Sequence, residues 1–162
     1  MGDTACHDHH PVSPHAGPRL LSLLNGLSRS PNWLHGALAR WGVAAIFWRS
    51  GQTKVTGFHI NESTFDLFQT EYRVPLLPPD LAAVLATVSE HLFPVLLVIG
   101  LASRLSAGAL LGMTLTIQIF VYPGSWPDHL LWASALLYVI LRGPGELSID
   151  HLIRRRCERP LP

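Results

Sequence analysis

Four stretches of the chain stay apolar for long enough to cross a hydrocarbon layer as helices, for which about 20 residues suffice. Asp80 to Gly100 (DLAAVLATVSEHLFPVLLVIG) follows Pro78-Pro79, which marks a helix start with Asp80 as N-cap, and it closes at a glycine. Arg104 to Tyr122 ends at Pro123-Gly124. The last stretch opens near Trp126, strengthens from Leu130 to Leu141 and stops at Gly143-Pro144-Gly145, which cannot continue a helix. Trp33 to Ser50 is more polar, because Arg40 and Arg49 each cost about 2.5–3.5 kcal/mol at a helix centre. Both lie towards its ends, where arginine can snorkel or pair inside a bundle. The pattern predicts an all-α, four-helix transmembrane bundle.

The connection between the first two spans has a pattern of its own. Ser63-Thr64-Phe65-Asp66 has capping-box spacing, and Phe65, Phe68 and Tyr72 follow at helical intervals, so a short interfacial helix is expected in this first outer loop. Residues 74–79 are rich in proline and should run extended. Ser148 to Arg156 predicts another short helix, with Leu152 and Ile153 inward and Arg154, Arg155 and Arg156 towards anionic lipid. The chain thus divides into a polar, His-rich tail and lead-in (1–31), a four-span domain (32–145) and a basic cytoplasmic segment (146–162).

Composition agrees with lipid as the solvent. Charged residues are 14% of the 162, against about 25% in ordinary soluble domains, and between Asp80 and Asp128 only Glu90 and Arg104 are charged. A net charge of +1 excludes nucleic acid as a partner. Cys6 and Cys157 imply neither a disulfide framework nor a structural zinc site. The first residues lack the basic and apolar regions of a cleavable signal peptide. Basic residues flanking the spans number eight on the side of the termini (Arg19, Arg29, Arg104, Arg142, Arg154, Arg155, Arg156, Arg159) against two on the other (Lys54, Arg73). That asymmetry places the chain in the inner (cytoplasmic) membrane with both termini cytoplasmic.

Ionisable groups inside spans point to sites, since each is costly in lipid. Glu90 lies about 15 Å into its helix. Pro94, four residues on, removes the N–H that would bond the Glu90 carbonyl, so a bend is expected there. His91 is turned about 100° away, so one of the two should line the interior and the other meet a neighbouring helix. By depth, Arg49, Gln118 and His129 are expected to share one outward vestibule with Glu90, and Arg49 is its expected partner. Arg40 should snorkel towards the cytoplasm or pair near Arg104. Such a cluster either glues helices together or handles a ligand or protons. Cys6, His7, His9 and His10 are candidate metal ligands, set against a solvated tail. No nucleophile elbow, phosphate loop, dinucleotide fingerprint or HExxH helix occurs.

With Arg40, Ile46-Phe47, Gly51 and Lys54, then Glu90, then Gly100-Leu101-Ala102-Ser103-Arg104 and Ala107, the chain resembles DoxX-like integral membrane proteins over about residues 35–153. The resemblance implies a four-helix membrane protein and carries over Arg40, Gly51, Lys54, Glu90 and Arg104 as site positions, beside Arg49, His91, Gln118 and His129 from the spans. His91 and Pro94 depart from the commoner pattern, in which small or aliphatic residues follow the glutamate. Ile117 to Pro123, Trp126, His129 and Gly143 to Asp150 are similar to a branch associated with peptide-modification or metal-stress systems. The implied function is an accessory subunit of a quinone-linked membrane redox system, with quinone as cofactor among Trp48, Phe93 and Tyr122. The alternative is a non-enzymatic transporter or metal-tolerance protein using Glu90, His91, Gln118 and His129 as a path and the His-rich tail as collector. A structural assembly partner is the third reading. Expected partners are the lipid bilayer, other membrane or redox subunits, and a second copy of the chain as homo-oligomer.

Overall fold

A computed structural model describes residues 32–158, Leu76 excepted. The His-rich tail, with Cys6, His7, His9 and His10, lies outside the described residues. The elements are α1 (Asn32–Gln52), a hairpin of β1 (Val55–Thr56) and β2 (His59–Ile60), α2 (Glu62–Thr70), α3 (Pro79–Ile99), α4 (Ser103–Phe120), a 3-10 turn (Pro123–Ser125), α5 (Trp126–Arg142) and α6 (Ile149–Cys157). The four long helices close into a ring in which α1 packs on α3 and α5, and α4 packs on the same two. The all-α expectation holds apart from the hairpin, which pairs Val55 with Ile60 and Thr56 with His59. Strands of two residues are too short to leave an alternating pattern in a sequence.

Local chemistry sets the helix ends. Pro79 occupies the first turn of α3, where a missing N–H costs nothing, so Pro78 is the cap and Asp80 sits inside the first turn. Gly100 ends α3 in the left-handed region at φ 73°, as a C-cap glycine does. Asn61, not Ser63, precedes α2, so the capping-box spacing is not used. The proline-rich run also departs from expectation: instead of extending, the chain turns, with the Leu77 amide reaching the Val74 carbonyl at 3.4 Å. α3 stays helical through the buried Pro94.

The interior is small and partly polar, and the exterior is large and apolar. On α3 the stripe Ala83, Thr87, Glu90, Pro94 and Leu97 is buried, while Leu81, Val84, Val88, Leu92 and Val95 face outward. Ser103, Ser106 and Thr114 of α4 also point inward. Thr87 and Thr114 satisfy their hydroxyls on the carbonyls of Ala83 and Leu110, each at 2.8 Å. Val43, Ala44, Phe47, Leu97, Leu110, Leu136 and Val139 form the apolar centre. Among the described residues α3 is the one helix long and apolar enough by composition to cross a membrane. On α6, Leu152 and Ile153 are exposed rather than inward, since the helix touches the ring chiefly through its start.

Candidate functional site

Glu90 is buried on the inward stripe of α3, and its partner is Lys54, two residues beyond the end of α1. Lys54 Nζ donates to Glu90 Oε2 at 2.7 Å and to Ser50 Oγ at 3.2 Å. Ser50 Oγ in turn donates to Glu90 Oε1 at 3.1 Å, so both carboxylate oxygens are bonded. The lysine is aimed by its backbone. Its amide bonds the Gly51 carbonyl at 3.0 Å, and its own carbonyl accepts from the Asn61 amide and the Thr64 hydroxyl, each at 3.0 Å. Gly51 lets α1 approach α3 here, because a methyl at that position would stand 2.8 Å from His91 Cε1 and 3.1 Å from Glu90 Cβ.

The expected Arg49–Glu90 pair does not form. Arg49 is exposed, because residues one apart on a helix diverge by about 100° and it is Ser50 that faces Glu90.

The Lys54–Glu90 pair borders a cavity of about 470 Å³ between the four long helices and α2. Ile46, Phe47, Leu85, Met113 and Trp132 give it apolar walls, and His129 adds a further polar point. His129 Nδ1 lies 2.6 Å from Gln118 Oε1. Gln118 Nε2 donates to the Pro123 carbonyl at 2.8 Å, which turns the amide oxygen towards the imidazole and makes Nδ1 the donor. In the neutral ring Nε2 is then the acceptor nitrogen. Trp132 stands edge-on to both His129 and Phe47, with ring centroids 5.0 and 5.9 Å apart.

The rim is tied across the top. The Tyr122 hydroxyl, in the turn after α4, donates to Glu71 Oε1 at 2.5 Å and lies 3.1 Å from the Tyr72 hydroxyl. The bond to Glu71, then that to Tyr72 and burial, push this phenol above its ordinary range. Apolar walls can take a flat lipophilic body, while the ion pair and His129 offer it polar contacts.

The structure thus brings Lys54, Glu90 and His129 to one cavity, with Gln118 behind the histidine and Gly51 behind the ion pair. His91 lies elsewhere: Nδ1 meets the Thr87 carbonyl at 2.7 Å and Nε2 meets Gln52 at 3.0 Å, beside the Trp48 ring. Of the expected aromatics Tyr122 lines the cavity, whereas Trp48 and Phe93 do not, and Phe47, Phe68 and Trp132 take their place. Ser50 and Trp132 were not anticipated. Trp132 is legible as the residue three after His129, a same-face spacing on a helix, whereas Ser50 has no such signal because Lys54 lies past the end of α1.

Arg40 and Arg104 belong to the opposite end of the ring. Arg40 does not snorkel: it is fully buried, and its Nη1 donates to the carbonyls of Leu97 at 2.7 Å and Val98 at 3.2 Å, while Nη2 donates to that of Leu147. It thereby caps the last turn of α3, where carbonyls lack helical partners. Asp150 does the converse for α4, accepting from the amides of Ala102 and Ser103, each at 2.8 Å, at a helix start whose own cap residue, Ala102, offers no side-chain oxygen. Arg104 is exposed beside Gly143.

The DoxX family profile matches residues 36–123, from α1 to the turn after α4. A protein of Haemophilus influenzae (strain ATCC 51907 / DSM 11121 / KW20 / Rd), described as "Uncharacterized protein", is 30% identical over 131 residues, covering 73% of this chain and 82% of its own length. No solved structure matches. The family match includes Lys54 and Glu90 and stops before His129, so the ion pair lies in the shared part and the imidazole outside it. On the profile and the relative together, the chain belongs to the DoxX family of membrane proteins.

Proposed function

We propose that this protein spans the inner membrane four times, termini inside, as an accessory subunit of a membrane redox system, and that the cavity at Lys54, Glu90 and His129 binds a quinone. Four spans are supported by helix lengths of 17 to 21 residues, about 25–32 Å, against a hydrocarbon core of about 30 Å. The outward residues of the less apolar helices, such as Trp41 and Trp48 on α1, Leu115 and Ile119 on α4, and Leu130 and Leu137 on α5, suit lipid.

The observation that carries the ligand reading is a cavity of about 470 Å³ with apolar walls and a few convergent polar groups, the chemistry a lipophilic ring with polar oxygens requires. Phe47 and Trp132 would flank the ring. His129 Nε2, an acceptor while Nδ1 carries the ring proton, would accept from a hydroxyl of the reduced quinol, and the Lys54–Glu90 pair would hold a proton close to the other oxygen. Tyr72 and Tyr122 would keep water from the mouth. When bound, a quinone supplies a two-electron, two-proton couple. The chain's own groups orient and protonate, and the electrons come from another subunit.

The transporter reading needs Glu90, His91, Gln118 and His129 in one path, but they belong to three separate hydrogen-bond sets. The test is extraction of lipid-soluble redox compounds from the full chain purified out of membranes. Wild type should retain quinone, and His129→Ala or Glu90→Gln should retain about tenfold less. No quinone in the wild type, with unchanged quinone reduction in membranes lacking the protein, would sink the reading. Loss of metal accumulation in Glu90→Ala or His91→Ala cells would favour transport instead.

A further inference from the structure

A second cleft opens at the opposite end of the ring, between the start of α4, the end of α5 and the start of α6, where it is lined by Ser103, Arg104, Leu105, Arg142, His151 and Arg154 among others. Its polar groups are mostly donors. The exposed Arg104 and Arg142 have no ion-pair partner among the described residues, and Arg154 uses Nε on Glu158, leaving its terminal nitrogens. Two acidic residues also border the cleft. Asp150 is already engaged by the amides of Ala102 and Ser103, and Glu146 sits exposed on the connecting loop.

Two polar atoms of residues lining this cleft are buried without a partner among the described residues. Ser103 is fully buried and its Oγ has no hydrogen-bond partner among the described residues, nor has the buried Nε2 of His151. Buried polar atoms are otherwise almost always bonded. Arginine forks match the oxygens of a phosphate, and the hydroxyl can donate to the same group.

We infer that this cleft binds the phosphate of an anionic phospholipid, held by Arg104 and Arg142 and contacted from within by Ser103 and His151. The lipid source is favoured over a soluble phosphate by Leu105, which lines the cleft and is 73% exposed, and by Leu141 beside Arg142, 68% exposed. Acyl chains leaving the cleft would lie on that apolar flank. In the four-span orientation this end faces the cytoplasmic leaflet, where anionic headgroups attract basic residues.

The experiment uses the full chain purified in detergent, titrated with phosphatidylglycerol or phosphatidylcholine and read by native mass spectrometry. Wild type should keep phosphatidylglycerol in preference. Arg104→Gln with Arg142→Gln should weaken that binding about a hundredfold, tenfold for each charged contact. Ser103→Ala should weaken it about threefold. Arg155→Gln with Arg156→Gln removes the same charge from α6 outside the cleft and should change it less than about threefold. Equal losses from the two double variants would overturn the site in favour of diffuse attraction. Displacement by inorganic phosphate as effective as by lipid would overturn the lipid source. Should the cleft variant fail to fold, a photoactivatable phosphatidylglycerol on wild type decides. Labelling at 102–105 and 142–151 is expected, and labelling confined to other segments overturns the proposal.

Discussion

The two ends of the helix ring bury a cation each and use it in opposite ways. At one end Arg40 spreads its guanidinium over three backbone carbonyls, two at the end of α3 and one in the loop before α6, and pairs with no carboxylate among the described residues. At the other end Lys54 gives its ammonium to a carboxylate, at the edge of a cavity of about 470 Å³. A guanidinium keeps its charge under all ordinary conditions and presents a rigid fork, which suits holding chain segments together. An ammonium is a compact, strongly hydrated point charge, which suits pairing with a single buried carboxylate. One end ties chain segments together, and the other sets an ion pair at the edge of a cavity.

This contrast can be broken by substitution. Arg40→Met leaves the Leu97, Val98 and Leu147 carbonyls without their donor and should destabilise the fold by about 3–5 kcal/mol, read as a lowered thermal midpoint in detergent. An unchanged midpoint would mean that Arg40 does not hold that end. Lys54→Met strands a buried carboxylate and should cost about 3 kcal/mol, whereas Lys54→Met with Glu90→Gln should recover to within about 1 kcal/mol of wild type while binding of quinone stays lost. A double variant as unstable as the single one would make the ion pair structural, like Arg40. Gly51→Ala is the mildest. The new methyl meets His91 Cε1 and Glu90 Cβ, and a shift of the imidazole limits the cost to about 1–2 kcal/mol, measurable by the same melt. No loss of stability there would show that α1 and α3 can separate without harm.

Much of this architecture was legible in the chain. Apolar length and terminators predicted the four long helices, whose observed ends fall close to those read from Gly100, Pro123 and Gly143, and the aromatic spacing Phe65, Phe68, Tyr72 announced α2. A carboxylate at Glu90 in such a stretch demanded a buried partner on energetic grounds alone. The identity of the partner was not legible. Helical periodicity gives a direction to Arg49, which is inside α1, but none to Lys54, which is past its end and takes its direction from hydrogen bonds to Gly51, Asn61 and Thr64. Arg40 and Asp150 show the same division. Their burial and charge are properties of the residues, whereas the helix ends they cap come from segments distant in the chain.

What the amino-acid order determined by itself was therefore local: which stretches are helical, where they stop, and which polar groups could not be left in an apolar setting. Which groups meet was decided only when the ring closed, because contacts between Lys54 and Glu90, Gln118 and His129, or Arg40 and Leu147 depend on loop geometry and helix rotation. Neither quantity leaves a periodic trace along the chain.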